Sequence, residues 1–135
     1  MSGTIENPLT YAAETVGKDP MATFLGITVE EVQHGYARCA LVVKPEYCNA
    51  VDRAHGTTVY AVADQALAVA ANATGTMAFA LNVNINFVAA AASGETIVAE
   101  ASAVSMGRKI SVWKIAVTGK NKAVVASGEG VAYHK

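Results

Sequence analysis

His55, Gly56 and Asp64 are the residues of this 135-residue chain whose types and spacing could do chemistry. Asp64 is the sole formal charge between Arg53 and Glu95, and it stands in an alanine-rich stretch that Gly56 opens. A helix that begins at Gly56 exposes unsatisfied backbone N–H groups at its positive end, and a glycine there lets a carbonyl oxygen approach with no side chain in the way. That is an oxyanion hole in outline, with a carboxylate eight residues on to attack or to activate water. The competing reading is structural: Gly56 eases a tight start to the helix and Asp64 faces solvent on its polar side. Taken alone, the local sequence favours the structural reading.

Other chemistries drop out by absence of their signatures. The chain has no GxSxG elbow, P-loop, GxGxxG after a strand, or HExxH. Its two cysteines, Cys39 and Cys48, have no CxxC or paired-His spacing that would hold zinc, and read as reduced thiols. A formal net charge of -1 with 10 Lys and Arg argues against nucleic-acid or membrane-surface binding, which calls for a basic face. The N-terminal stretch "MSGTIENPLTYAAETVGKDP" has neither a basic nor an apolar signal region, and no apolar run reaches membrane-spanning length. These features make a cytoplasmic protein the expectation.

The elements that position the candidates follow from patterning. With 53% hydrophobic residues, the 135 residues suit a single domain with a real core, expected to span 1–135 without linker or repeat. Residues 1–25 read as an N-terminal helical segment, with Asn7-Pro8 and Asp19-Pro20 as starts and Gly17 as a stop. From Ile27 the pattern alternates, with Ala37, Cys39, Leu41 and Val43 on one face and a turn at Gly35. One long helix over 56–72 comes next, its alanines allowing close approach to a sheet. Four further strand-like runs follow: "FALNVNINF", "ETIVAEASAV", "KISVWKIAVTG" and "AVVASGEGVAY". In the first, Phe79, Leu81, Val83, Ile85 and Phe87 alternate with Ala80, Asn82, Asn84 and Asn86. An α+β fold results, with one helix against a curved antiparallel sheet.

The blocks "LGITVEEVQHGYARCALVV", "NAVDRAHGTTVYAVADQALAVAAN", "NINF", "SGE" and "GRK", in that order, resemble the hotdog-fold acyl-CoA thioesterases of the branch typified by the phenylacetic-acid-pathway enzyme. The resemblance runs from about Phe24 nearly to the C-terminus. It implies an antiparallel sheet wrapped around one central helix, and hydrolysis of acyl-CoA or aryl-acyl-CoA thioesters. It also implies a catalytic group of Gly56 as oxyanion donor, Asp64 as nucleophile or general base, Asn49 as the loop residue placing carbonyl or water, and His55. No metal or cofactor is implied, coenzyme A being part of the substrate. The assembly implied is a homodimer with shared active sites, or a dimer of such dimers. Gly56 and Asp64 lie roughly 12 Å apart along one helix at ~1.5 Å per residue, so a single thioester carbonyl needs them from two subunits.

This chain departs from the family in reading His55-Gly56-Thr57 where HGG is usual, Asp52 where Gly is common, and Ala90 near a usual proline. Thr57 adds a hydroxyl beside the oxyanion site, and Asp52 reads as a loop cap. His55 can be a base, although fixing the helix start suits it better, while His34 in a turn and His134 in the C-terminal tail are poor catalytic candidates. Gly107, Arg108 and Lys109 form a basic turn of the kind that meets coenzyme A phosphates; the alternative is a solvated hairpin tip. Asn82, with Asn84 and Asn86, either lines a polar wall by the acyl pocket or serves a subunit interface. Two other functions fit the pattern: a non-catalytic acyl-CoA binding module, and a hydratase or dehydratase on this fold. The latter pairs a catalytic His with an acid at a different spacing, whereas His55 precedes the helix.

Overall fold

A computed structural model describes residues 3–135. The N-terminal segment is helical: α1 (Pro8–Thr10) runs on as a π-helical stretch (Tyr11–Val16), and α2 (Pro20–Leu25) follows. Asp19 caps α2 by accepting the Ala22 N–H at 2.9 Å, and Gly26 ends it in the left-handed region at φ 82°, a conformation that glycine adopts without a Cβ clash. The rest is β1 (Thr28–Gln33), β2 (Tyr36–Val42), α3 (Gly56–Ala71), β3 (Ala78–Phe87), β4 (Thr96–Met106), β5 (Ile110–Thr118) and β6 (Val124–His134).

The strands form one antiparallel sheet in the order β1-β2-β4-β5-β6-β3, so β1 and β3 are its edges. Period-two alternation turns Ala37, Cys39 and Leu41 of β2, Ile97, Ala99 and Ala101 of β4, and Trp113, Ile115 and Val117 of β5 into the core. Register shifts in β1, β3 and β4 interrupt the ladders; such bulges add bend and twist, which lets a sheet curl around a helix. Alpha3 lies against the concave face, burying Val62, Ala63, Ala66, Leu67, Val69 and Ala70. At Gly130 of β6 a Cβ would come within 2.7 Å of Leu67 Cδ2, so a glycine there is what admits the helix.

Two sequence expectations change. The apolar alternation of β3 covers the core only in part: Val83 and Ile85 are half-buried, while Phe79, Leu81 and Phe87 are more than half exposed. The strand is an open edge, and a register shift between Ala80 and Asn82 breaks its alternation. His134 is not in a tail. It closes β6 at 3% exposure, within hydrogen-bonding distance of Ser111 Oγ (2.7 Å, Nε2) and Thr76 Oγ1 (2.9 Å, Nδ1). Trp113 Nε1 can only donate, and it gives its hydrogen to Ser111 Oγ at 2.7 Å. Ser111 Oγ thus accepts from Trp113 and also pairs with His134 Nε2, tying the end of β6 to β5.

Candidate active site

The start of α3 is built by a loop that folds on itself. Asn49 Oδ1 accepts the N–H groups of Val51 (3.0 Å) and Arg53 (3.1 Å), and Asn49 N donates to Arg53 O at 2.7 Å. Asp52, at the tip, has φ 61°, a left-handed conformation that Asp tolerates and Gly prefers. Its place in the turn is thus conformational, and the Asn49 amide hydrogens have no acceptor among the described residues.

His55 is the N-cap of α3. Its Nδ1 accepts the Thr57 N–H at 3.0 Å, and its carbonyl accepts from Thr58 (2.8 Å) and Val59 (3.2 Å). The N–H groups of residues 57, 58 and 59 are therefore committed. Among the described residues no acceptor takes the Gly56 N–H, which is left at the positive end of a sixteen-residue helix. Gly56 opens into a cleft of ≈ 390 Å³ walled by Asn49, Val51, Val59, Phe87 and Val88. The Phe87 ring lies against the glycine, 3.4 Å from where a Cβ would stand. On the other side of the helix start, Thr57 and His55 share a second cleft with Phe24, Leu25, Tyr47 and Cys48.

Asp64 lies two turns further along, half-buried on the side of α3 that the sheet does not cover, in a stripe with Thr57, Tyr60, Ala61 and Ala68. No donor among the described residues reaches its carboxylate. Burial, and after it the negative charge of Asp19, raise its proton affinity above the ordinary carboxylate range. An unpaired, partly desolvated carboxylate is costly for stability and suited to taking a proton, which is the profile of a functional group.

A profile of the thioesterase superfamily matches residues 52–126, more than half of the chain and inclusive of both Gly56 and Asp64. The chain belongs to the thioesterase superfamily. It is 35% identical over 115 residues to an Archaeoglobus fulgidus protein provisionally named an esterase, covering 85% of this chain and 75% of that one. It is 28% identical over 115 residues to the acyl-coenzyme A thioesterase PaaI of Escherichia coli, covering 85% of this chain and 82% of the relative. The solved structure of the E. coli PaaI protein from the phenylacetic acid degradation operon superposes with a TM-score of 0.87 at 26% identity, over 94% of this chain and 96% of that one. The hotdog fold and the PaaI-like resemblance read from the sequence are borne out, and the chain is a thioesterase.

Within one chain of this thioesterase the candidate residues fall into separate places. Asn49 and Gly56 share the first cleft, and His55 and Thr57 the second. Asp64 borders neither. The Gly107–Lys109 turn lies with His34, Thr74, Thr76 and His134 near the far end of α3, a helix roughly 24 Å long at ~1.5 Å per residue. Arg108 is exposed there, and Lys109 Nζ sits 5.8 Å from the Tyr133 ring centre. Asn82, Asn84 and Asn86 point outward from the open edge, exposed. The sequence reading did not single out Val51, Phe87 and Val88 as cleft walls, nor Asp19 as a neighbour of Asp64. The walls come from a loop and a strand that end side by side, a proximity with no one-dimensional signature.

Proposed function

We propose that the chain hydrolyses acyl-coenzyme A thioesters, aryl-acyl groups included, at sites shared between two copies. The observation that carries this reading is the N–H of Gly56, without an acceptor among the described residues, left between neighbours whose hydrogens are all taken and bordering a cleft lined by Val51, Val59, Phe87 and Val88 together with Asn49 and Arg53. The thioester carbonyl oxygen accepts this hydrogen, and the bond strengthens as negative charge gathers on that oxygen in the tetrahedral state. Asn49 borders the same cleft, and its amide hydrogens, with no acceptor among the described residues, hold carbonyl or water in place. Asp64 takes a proton from water as the water oxygen bonds to the carbonyl carbon. Collapse of the intermediate breaks the C–S bond, giving the carboxylic acid and coenzyme A, whose thiolate recovers the proton. The raised proton affinity of Asp64 suits it to taking this proton. Neither metal nor cofactor has a part in it.

Two features support the shared site. Gly56 and Asp64 of one α3 are separated by roughly 12 Å at ~1.5 Å per residue, too far for one carbonyl. The outward stripe of α3 and the open edge of β3, with Phe79, Leu81 and Phe87 exposed, offer apolar surface to a second copy. Two α3 helices antiparallel across a two-fold axis set Gly56 opposite the partner's Asp64, with Tyr60 beside its own symmetry mate. The same geometry carries the partner's basic turn, with Arg108 and Lys109, toward the end of α3 where Gly56 lies, as a long phosphate-bearing ligand requires.

The test starts from two inactive variants, Asp64→Ala and Gly56→Pro, unfolded and refolded together while free thiol is followed on a panel of acyl- and aryl-coenzyme A esters. His55 has φ -61° and ψ 145°, the conformation favoured before a proline, so the second change removes the hydrogen without straining the backbone. Random pairing leaves one intact site in half of the dimers, about a quarter of wild-type activity. Mixed dimers seen by mass but inactive overturn the shared site. Binding without thiol release by the wild-type protein would make it a binding module.

A further inference from the structure

Past Phe87 and Val88, the cleft onto which Gly56 opens is walled by Ala89, Ala90 and Ala91. Ala92 comes next, and no helix or strand covers residues 88–95. An alanine side chain has neither donor nor acceptor, so this wall is held by its main chain and by what that main chain meets. Its side-chain partner is Glu95, from the "SGE" block. Glu95 Oε2 accepts the Ala92 N–H at 2.6 Å, and Oε1 accepts the Lys120 N–H at 3.1 Å from the turn between β5 and β6. These two bonds, that to Ala92 foremost, hold the Glu95 proton affinity below the ordinary carboxylate range, so the side chain is ionised at neutral pH. At Gly119 a Cβ would come within 3.2 Å of Oε1, and the glycine leaves room for the carboxylate. The Glu95 main chain is pinned as well, its carbonyl accepting from Val43 at 2.8 Å and its N–H donating to Ala92 O at 3.1 Å.

From the alanine wall the bonding runs on to the start of α3. Ala92 and Arg53 form an antiparallel bridge, and the Ala54 N–H donates to Ala91 O at 2.8 Å. Arg53 O accepts from Asn49 N at 2.7 Å, and Ala54 leads directly into the His55 cap and Gly56. We propose that Glu95 is a positioning residue for thioester hydrolysis, a carboxylate that clamps the alanine wall and, through the pairings of Ala91 with Ala54 and of Ala92 with Arg53, sets the Asn49 loop and the Gly56 N–H against the substrate carbonyl. This rests on the reading of Gly56 as the oxyanion donor. Glu95 does not itself line the cleft, so it acts through the main chain it holds. A charged acceptor suits the task, since its hydrogen bonds are about twice as strong as those between neutral groups.

The experiment compares Glu95→Ala, which removes both acceptors, with Glu95→Gln, which keeps the side-chain length and one acceptor oxygen. Three readouts are taken: the NMR amide signals of Ala54 and Gly56 with the exchange rate of the Ala54 N–H, the dissociation constant of coenzyme A, and kcat and KM on acyl-coenzyme A. Activity is expressed per folded molecule, with the folded fraction read from the same spectra. In Glu95→Ala both amide signals are expected to move, the Ala54 N–H to exchange faster, and kcat to fall by about 10–10²-fold, as a small misplacement of a reacting group does. KM and coenzyme A affinity should stay near wild type, and Glu95→Gln should fall between wild type and Glu95→Ala. Should the alanine variant not fold, Glu95→Gln carries the comparison. Amide signals and exchange that match wild type overturn the clamp, whether or not the protein hydrolyses thioesters. Signals that move while kcat holds overturn the positioning role if Gly56→Pro is inactive, and the Gly56 reading itself if Gly56→Pro is active too. A wild-type protein that binds coenzyme A esters without releasing thiol overturns the role together with the activity, a failure told apart from that of the clamp by the NMR readout, which needs no turnover.

Discussion

The imidazole of His55 accepts the Thr57 N–H at 3.0 Å, and the Gly56 N–H between them is left without an acceptor among the described residues. The cap satisfies one orphan donor of the first turn and leaves the one before it open, the donor that the proposed mechanism uses. His55 then stabilises the helix start, and its ring nitrogen is occupied by that task.

Exchange of His55 for Asn, a good capping residue, is expected to leave unfolding free energy and kcat close to wild type. His55→Ala should cost about 0.5–2 kcal/mol of stability, measured by denaturant unfolding. An Asn variant that is fully stable but inactive would instead place the imidazole in the chemistry.

For Asp64 the predictions for activity and stability have opposite signs. Asp64→Asn is expected to lower kcat by about 10²–10⁴-fold, the usual contribution of a general base. The same change should raise Tm at neutral pH. The folded protein holds the Asp64 proton more tightly than the unfolded chain does, so ionisation costs stability at every pH above the folded-state value. That cost fades as pH falls toward the ordinary 3.8, and thermal melts of the pair should converge there. A variant less stable than wild type at neutral pH would contradict this.

Arg108→Ala should raise KM for acyl-coenzyme A more at low than at high salt, with kcat little changed. A phosphate contact made by an exposed guanidinium is screened by ions. Equal KM values at low salt would make the Gly107–Lys109 turn a hairpin tip and nothing more.

Acidification should loosen the end of β6. Burial lowers the proton affinity of His134, so the unfolded imidazole takes up a proton near its ordinary value of 6.5 while the folded one does so only at lower pH. Stability is therefore full above about 6.5 and declines as pH falls from there through the folded-state value. Protonation would make donors of both ring nitrogens, facing the hydroxyls of Ser111 and Thr76, the first of which already accepts from Trp113. In His134→Gln this part of the pH dependence should vanish, as urea unfolding across the window will reveal.

The order of elements was legible in the sequence because it rests on local rules. Asp19-Pro20 starts a helix since a carboxylate can accept the Ala22 N–H and proline needs no partner for its missing hydrogen. Ala37, Cys39, Leu41 and Val43 went inward together because a strand alternates its faces. Gly56 and Asp64 could be picked out because a glycine at a helix start and a lone charge in an apolar stretch are odd in one dimension. Their distance from each other along the helix followed from helix rise alone.

What only the tertiary structure decided depends on contacts between residues far apart in the chain. Period-two alternation could not tell that β3 is an edge, since strand order is set by the pairing of β6 with both β5 and β3. His134 looked like tail from its position, and its burial is sustained by Ser111 and Thr76, from two other segments, which lie within hydrogen-bonding distance of its two ring nitrogens. The wall of the Gly56 cleft needs Val51 of the loop and Phe87 at the end of β3 side by side, which only the folded chain provides. The proton affinity of Asp64 depends on how much water remains around it and on Asp19, brought near by a bond from Gln65 to Val16 across 49 residues of chain. Spacing places a carboxylate on a helix; desolvation and neighbouring charge, which exist only once the chain has folded, determine how strong a base it is.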